Sequence, residues 1–187
     1  MDRIKKSILV LIASLWLPMC MHAQVVVVIM NQDYTCEDPR GFDETSKWVL
    51  KKGDALLMYK RRNSYEYYGY YTAASVEIPS RFVRLPGTIS GEKYIVINVD
   101  DLNLREGPST TSGIWCYDSD YGGSIAQEQF LKNPRKVLGA YGSKYSWKPY
   151  HLPKGTRLPY LGTVNGFYKT KFNGVLFYLS TKYCTLK

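Results

Sequence analysis

Hydrolytic and metal chemistry is usually assembled from histidine, cysteine and paired carboxylates. This chain of 187 residues is poor in the first of these, with only His22 and His151. His22 falls in an N-terminal leader, so the processed chain keeps His151 alone, and a site with two histidine ligands cannot be built. A Cys–His dyad would need His151 beside Cys116 or Cys184. His151 directly precedes a Lys-Gly turn, however, and has an ordinary place at a strand end. The run Asp118-Ser119-Asp120-Tyr121-Gly122-Gly123-Ser124-Ile125 partly mimics a calcium loop. Gly122 brings no side-chain oxygen to its fifth position, and Gln129 stands where a bidentate Glu is wanted. Nothing in the spacing of Asp118, Asp120 and Glu128 marks a pair for glycoside hydrolysis. Catalysis, a bound metal and a cofactor are therefore not expected.

Binding is better provided for. Trp115, Tyr117, Tyr121, Tyr141, Tyr145 and Trp147 lie in or beside one segment, and aromatic faces suit both extended peptides and sugars. The candidate ligand-binding residues are Trp115, Tyr117, Tyr121, Tyr145 and Trp147, with Arg105 placed to pair with a ligand carboxylate. The competing role for these rings is to pack the segment onto its own domain. A second cluster, Tyr65, Tyr67, Tyr68, Tyr70 and Tyr71, runs along one hairpin. Strand alternation puts Tyr65 and Tyr67 on one face and Tyr68 and Tyr70 on the other, so about half belong to a core.

The N-terminus places these residues outside the cytoplasm. Arg3, Lys5 and Lys6 precede an apolar stretch from Ile8 to Leu17 that is too short for a comfortable membrane span. Pro18 breaks it, and Met21-His22-Ala23 reads as a signal-peptide cleavage site before Gln24. Lipidation at Cys20 is the rival, and Met19 fits it poorly. Removing residues 1–23 leaves 164 residues without a transmembrane span. It also removes three cations and Asp2, so the formal charge falls from +9 to +7. Outside the cytoplasm a basic surface faces anionic envelope polymers, lipid headgroups or acidic proteins, and only rarely nucleic acid, or serves simply as solubilising charge.

The elements that hold the candidate residues follow from an internal repeat. Leu50-Lys51-Lys52-Gly53-Asp54-Ala55-Leu56 recurs 102 residues later as Leu152-Pro153-Lys154-Gly155-Thr156-Arg157-Leu158. Ile78 to Leu85 recurs as Leu179 to Leu186, 101 residues on. Asn63-Ser64 and Asn165-Gly166 supply a turn before an aromatic strand in each copy. β-branched runs open the copies at Val25–Met30 and Tyr94–Val99. The expectation is all-β: residues 24–86, a linker over 87–93, and residues 94–187 with an insertion at about 113–150. Ser124-Ile125-Ala126-Gln127 has the pattern of a capping box opening a short helix within that insertion.

The repeat also places the cysteines. Cys36 falls at the position of Leu104 and Cys184 at that of Val83, both core positions. Cys116 has no such explanation, which leaves a Cys116–Cys184 bridge open.

The second copy resembles the bacterial SH3-like domain family. Leu102-Asn103-Leu104-Arg105-Glu106-Gly107-Pro108-Ser109 matches that family's Leu-Asn-Val-Arg-x-Gly-Pro-Ser opening. The Lys-Gly turn, Gly166-Phe167-Tyr168-Lys169 and Gly174 to Tyr183 follow in family order. Phe177 replaces a glycine, and Phe167-Tyr168 stand where a Trp is usual. The first copy has Glu37-Asp38-Pro39-Arg40-Gly41 in place of the Arg-x-Gly-Pro element, so its membership rests on the repeat. The resemblance implies two tandem small, strongly bent barrels in an exported protein. It further implies a partner among cell-wall peptides or glycans, or an envelope protein. The alternatives are an assembly subunit of an envelope complex and, behind it, a cell-wall hydrolase. Leu102, Leu104, Leu158 and Leu179 should face the core, and Gly107 and Gly155 should occupy turns that need positive φ.

Overall fold

Two strands carry long apolar runs where a half-exposed strand would alternate with polar residues: β1 (Gln24–Met30) and β4 (Ala55–Lys60). Such runs belong to strands buried on both faces, and that is their situation. In a computed structural model describing residues 24–37, 47–60, 66–71, 74–118, 137–138 and 147–187, Val28, Met30, Leu56 and Met58 face one core. Val27, Leu57 and Tyr59, on the opposite face, belong to another.

The described residues are all-β, with two 3-10 turns and no α-helix. The first copy continues with β2 (Tyr34–Glu37), β3 (Lys47–Leu50), β5 (Glu66–Tyr71), β6 (Ala74–Pro79) and β7 (Val83–Arg84). Its main sheet has the order β6-β5-β4-β1-β7, and β2 and β3 form a separate hairpin.

The second copy contains β8 (Tyr94–Ile97), β9 (Ile114–Asp118), β10 (Val137–Leu138), β11 (Trp147–Pro149) and β12 (Arg157–Pro159). It ends with β13 (Thr163–Val164), β14 (Phe167–Phe172), β15 (Val175–Ser180) and β16 (Cys184–Leu186). These form three sheets, β12-β8-β16, β10-β9-β11 and β13-β14-β15. The sheets are small and do not close into barrels, which corrects that part of the expectation. The leader, the insertion's capping-box segment and the calcium-like loop beyond Asp118 lie outside the described residues.

The duplication is visible hydrogen bond by hydrogen bond. Met30 N donates to Asp54 O and Gly53 N to Met30 O; Ile97 N donates to Thr156 O and Gly155 N to Ile97 O. Asn31 N donates to Phe82 O as Asn98 N does to Tyr183 O. Lys52 N donates to Asp33 Oδ1 (2.8 Å), and Lys154 N to Asp100 Oδ1 (3.0 Å). Gly53 and Gly155 both adopt positive φ, at 92° and 86°. Gly107 does not; a Cβ there would meet Ser112 Oγ at 2.7 Å, so its glycine answers a close approach. Leu102, Leu104, Leu158 and Leu179 are all core residues, as is Tyr67 of the tyrosine hairpin.

The copies are joined through an asymmetric turn. β5 pairs with β4 only over Met58–Lys60, leaving that edge of Ala55 and Leu57 to other partners. Asn173, at the turn between β14 and β15, takes both. Its backbone N donates to Ala55 O (2.9 Å), and its Oδ1 accepts from Leu57 N (2.8 Å). Asn173 sits at φ 48°, which Asn tolerates better than most residues. Asn173→Gly keeps the turn but orphans the Leu57 N–H, and should cost about 1–3 kcal/mol in a denaturant titration. A cost near zero would show that water replaces the carbonyl.

The connector between the copies is held by a bidentate ion pair. Arg84 Nη1 and Nη2 donate to Glu92 at 2.7 and 2.8 Å, and Glu92 also accepts from Gly87 N. The guanidinium and this N–H hold the Glu92 carboxyl below its ordinary value.

Cys36, Cys116 and Cys184 are buried thiols, and no disulfide joins them. Cys116 is therefore a core residue of β9 rather than a bridge partner for Cys184. Desolvation pushes Cys36 up to about 11 and Cys184 up to about 12. Unfolded thiols ionise near pH 8.5, so these two favour the folded state below that pH. The contribution fades as pH rises toward 11–12, because only the unfolded chain then releases the protons. Neither thiol should react with a thiol reagent at pH 8 until denaturant is added; rapid native labelling would contradict their burial.

Candidate ligand groove

The family-like segment Leu102–Ser109 does not form a continuous strand; it stitches sheets together at single residues. Arg105 bridges Tyr178 of β15 on one side and Ile114 of β9 on the other. Arg105 N donates to Tyr178 O (3.1 Å) and Tyr178 N to Arg105 O (2.9 Å). Tyr178 in turn lies opposite Lys169 of β14. Residues directly opposed across strands share a face, so Arg105, Tyr178 and Lys169 form one row. Arg105 Nη1 donates to Ser112 O (2.9 Å), which fixes the side chain against its own loop.

Beside this row lies a groove of about 460 Å³. Asp101, Asn103, Arg105 and Thr110 form one wall, and Phe167, Ser180 and Tyr183 the other. Tyr183, in the 3-10 turn Thr181–Tyr183, is 40% exposed, with Lys182 Nζ 5.4 Å from its ring centroid. The groove therefore offers an exposed aromatic ring, a guanidinium and a carboxylate. It suits an extended, partly apolar ligand bearing charge.

The first copy differs at two equivalent positions. Tyr34 occupies the position of Leu102, and Phe82 that of Tyr183. Their ring centroids lie 4.8 Å apart with the planes tilted by 31°, and Arg81 lies over Phe82 at 4.7 Å. In the second copy Leu102 stands in place of that tyrosine, and Tyr183 is 40% exposed.

The structure scatters the sequence candidates. Arg105 lines the groove. Trp115 is only 7% exposed, with its ring edge-on to Phe177 at 5.3 Å, so it packs the core instead of meeting a ligand. Its Nε1 is buried without a hydrogen-bond partner among the described residues. Tyr117 is half-buried and edge-on to Tyr150 at 6.3 Å. Burial, followed by the nearby Tyr59 and Tyr117, raises the Tyr150 phenol above its ordinary value. Trp147 is placed in β11 opposite Asp118; its side chain, with Tyr121 and Tyr145, lies outside the described residues.

His151 Nδ1 lies 3.1 Å from Leu102 O, a structural contact at the strand end. Among the described residues no cluster of His, Cys, Asp and Glu is arranged to hold a metal ion. No helix among them is long and apolar enough to cross a membrane.

One groove residue escaped the sequence: Tyr183, although the repeat aligns it with another aromatic residue, Phe82.

No protein-family model, no curated protein and no solved structure matches this chain.

Proposed function

We propose that the chain is an exported, non-catalytic binding protein of two bacterial SH3-like units, whose second unit holds an extended cell-wall peptide. The observation that carries this reading is the contrast between the copies: Tyr34 and Phe82 lie ring against ring in the first, whereas in the second Leu102 and the exposed Tyr183 line a groove. Asp101 and Arg105 supply opposite charges along it, as a peptide with free amino and carboxyl groups requires. The leader, with cleavage after Ala23, delivers the protein to that ligand.

Co-sedimentation of the exported chain with insoluble peptidoglycan, at low and moderate salt, tests the reading. Retention is expected to persist at moderate salt. Retention that disappears as salt screens the basic surface would assign it to net charge and overturn the groove as the binding site.

A further inference from the structure

The face that carries the groove also carries a charge gradient along its strands. Leu102, Leu104, Phe177 and Leu179 are buried in the core. By alternation their chain neighbours Asn103, Arg105, Tyr178 and Ser180 lie on the outward face. Thr170 and Phe172 are buried in the same way, which puts Lys169 and Lys171 outward as well. Lys171 is exposed and Lys169 partly so.

The register arranges these outward residues in rows. Phe167 opposite Ser180 is the first, and both line the groove. The next is Lys169 opposite Tyr178, with Arg105 on the far side of Tyr178. The last is Lys171 opposite Leu176. Successive rows are about 7 Å apart, the spacing of alternate residues in any extended chain.

Positive charge therefore builds up in one direction, from the groove through Arg105 and Lys169 to Lys171. Strands β13, β14 and β15 contain no Asp or Glu. The carboxylates nearest these cations are engaged elsewhere. Glu106 Oε1 accepts from Gly113 N (3.3 Å), and Asp54, which shares a cleft with Lys171, accepts from Lys51 N (2.9 Å). Asp101 lines the groove four residues before Arg105, and there Lys182 is drawn over the Tyr183 ring.

We propose that the groove takes its peptide in one direction, with the amino end at Asp101 and an acidic carboxyl end over Lys169 and Lys171. The ligand class is then an extended acidic peptide with carboxylates on alternate residues, which rests on the groove being the peptide site. Carboxylates two residues apart in the ligand meet lysines two residues apart in β14. The reverse orientation sets like charges together at both ends, and such juxtaposition is costly.

NMR titration of residues 24–187 with three peptides, all with free termini, tests this. They are Ala-Ala-Val-Glu-Val-Glu, its reverse Glu-Val-Glu-Val-Ala-Ala, and the uncharged counterpart Ala-Ala-Val-Gln-Val-Gln. The first should bind at least tenfold more tightly than either of the others, and should shift the Lys169 and Lys171 amides together with Ser180–Tyr183. Lys169→Gln with Lys171→Gln should abolish that preference and leave the affinity for the glutamine peptide unchanged, which also shows that the variant is folded. Equal affinity for the first peptide and its reverse, or a preference that survives in the double variant, would overturn the proposal and leave the groove standing. No saturable shift at Ser180–Tyr183 with any peptide at millimolar concentration would overturn the groove reading and the proposal with it.

Discussion

Phe177→Ala is expected to lower stability by about 3–5 kcal/mol, the usual cost of emptying a buried aromatic site. Phe177 is fully buried between the stacked Phe172 ring at 4.2 Å and the edge-on Trp115 ring at 5.3 Å. The centre of the second copy's core is thus built around three rings. Removing the middle one leaves Phe172 and Trp115 facing a void that packed neighbours fill only partly. Typical domains have about 5–15 kcal/mol in total, so a thermal melt should fall by about 10 °C or more. A melt within 2 °C of the parent would show that the ring cluster is not the centre of this core. Trp115→Ala belongs to the same class, and any loss of ligand it causes would reflect unfolding.

Tyr183→Ala is expected to reduce peptidoglycan retention at least tenfold while changing stability by no more than about 0.5 kcal/mol. The ring is partly exposed and forms a groove wall, so its removal takes away contact area more than core. Phe82→Ala, at the equivalent place in the first copy, should leave retention unchanged, because Tyr34 already covers that position. Equal losses from both variants would mean that the surface near the 3-10 turns binds without regard to the groove.

Much of the fold was legible because duplication writes the same instruction twice. The paired Lys-Gly turns, the Cys36–Leu104 equivalence and the Cys184–Val83 equivalence all hold in the structure. The relation between the copies was less legible. The unbroken runs in β1 and β4 signal burial on both faces, yet they do not say that the second copy supplies the second face. Asn173 reads as a hairpin turn, and its bonds to Ala55 and Leu57 join residues more than a hundred positions apart.

The site was legible in part. Arg105 stood out within a family-like segment. Trp115 falls in an insertion and reads as a ligand candidate there, but its ring packs inward against Phe177. Tyr183 aligns with Phe82 in the repeat, and its exposure goes with Leu102 standing in place of Tyr34. Whether a groove is open depends on one side chain across the sheet, and spacing along the chain does not report that.

An NMR titration of residues 24–187 with soluble peptidoglycan fragments tests the central claim most directly. Saturable amide shifts centred on Val99–Thr110, Phe167 and Ser180–Tyr183 are the predicted result. Shifts centred on Tyr34 and Phe82, or no saturable shifts at millimolar fragment, would contradict a peptide-binding groove in the second copy.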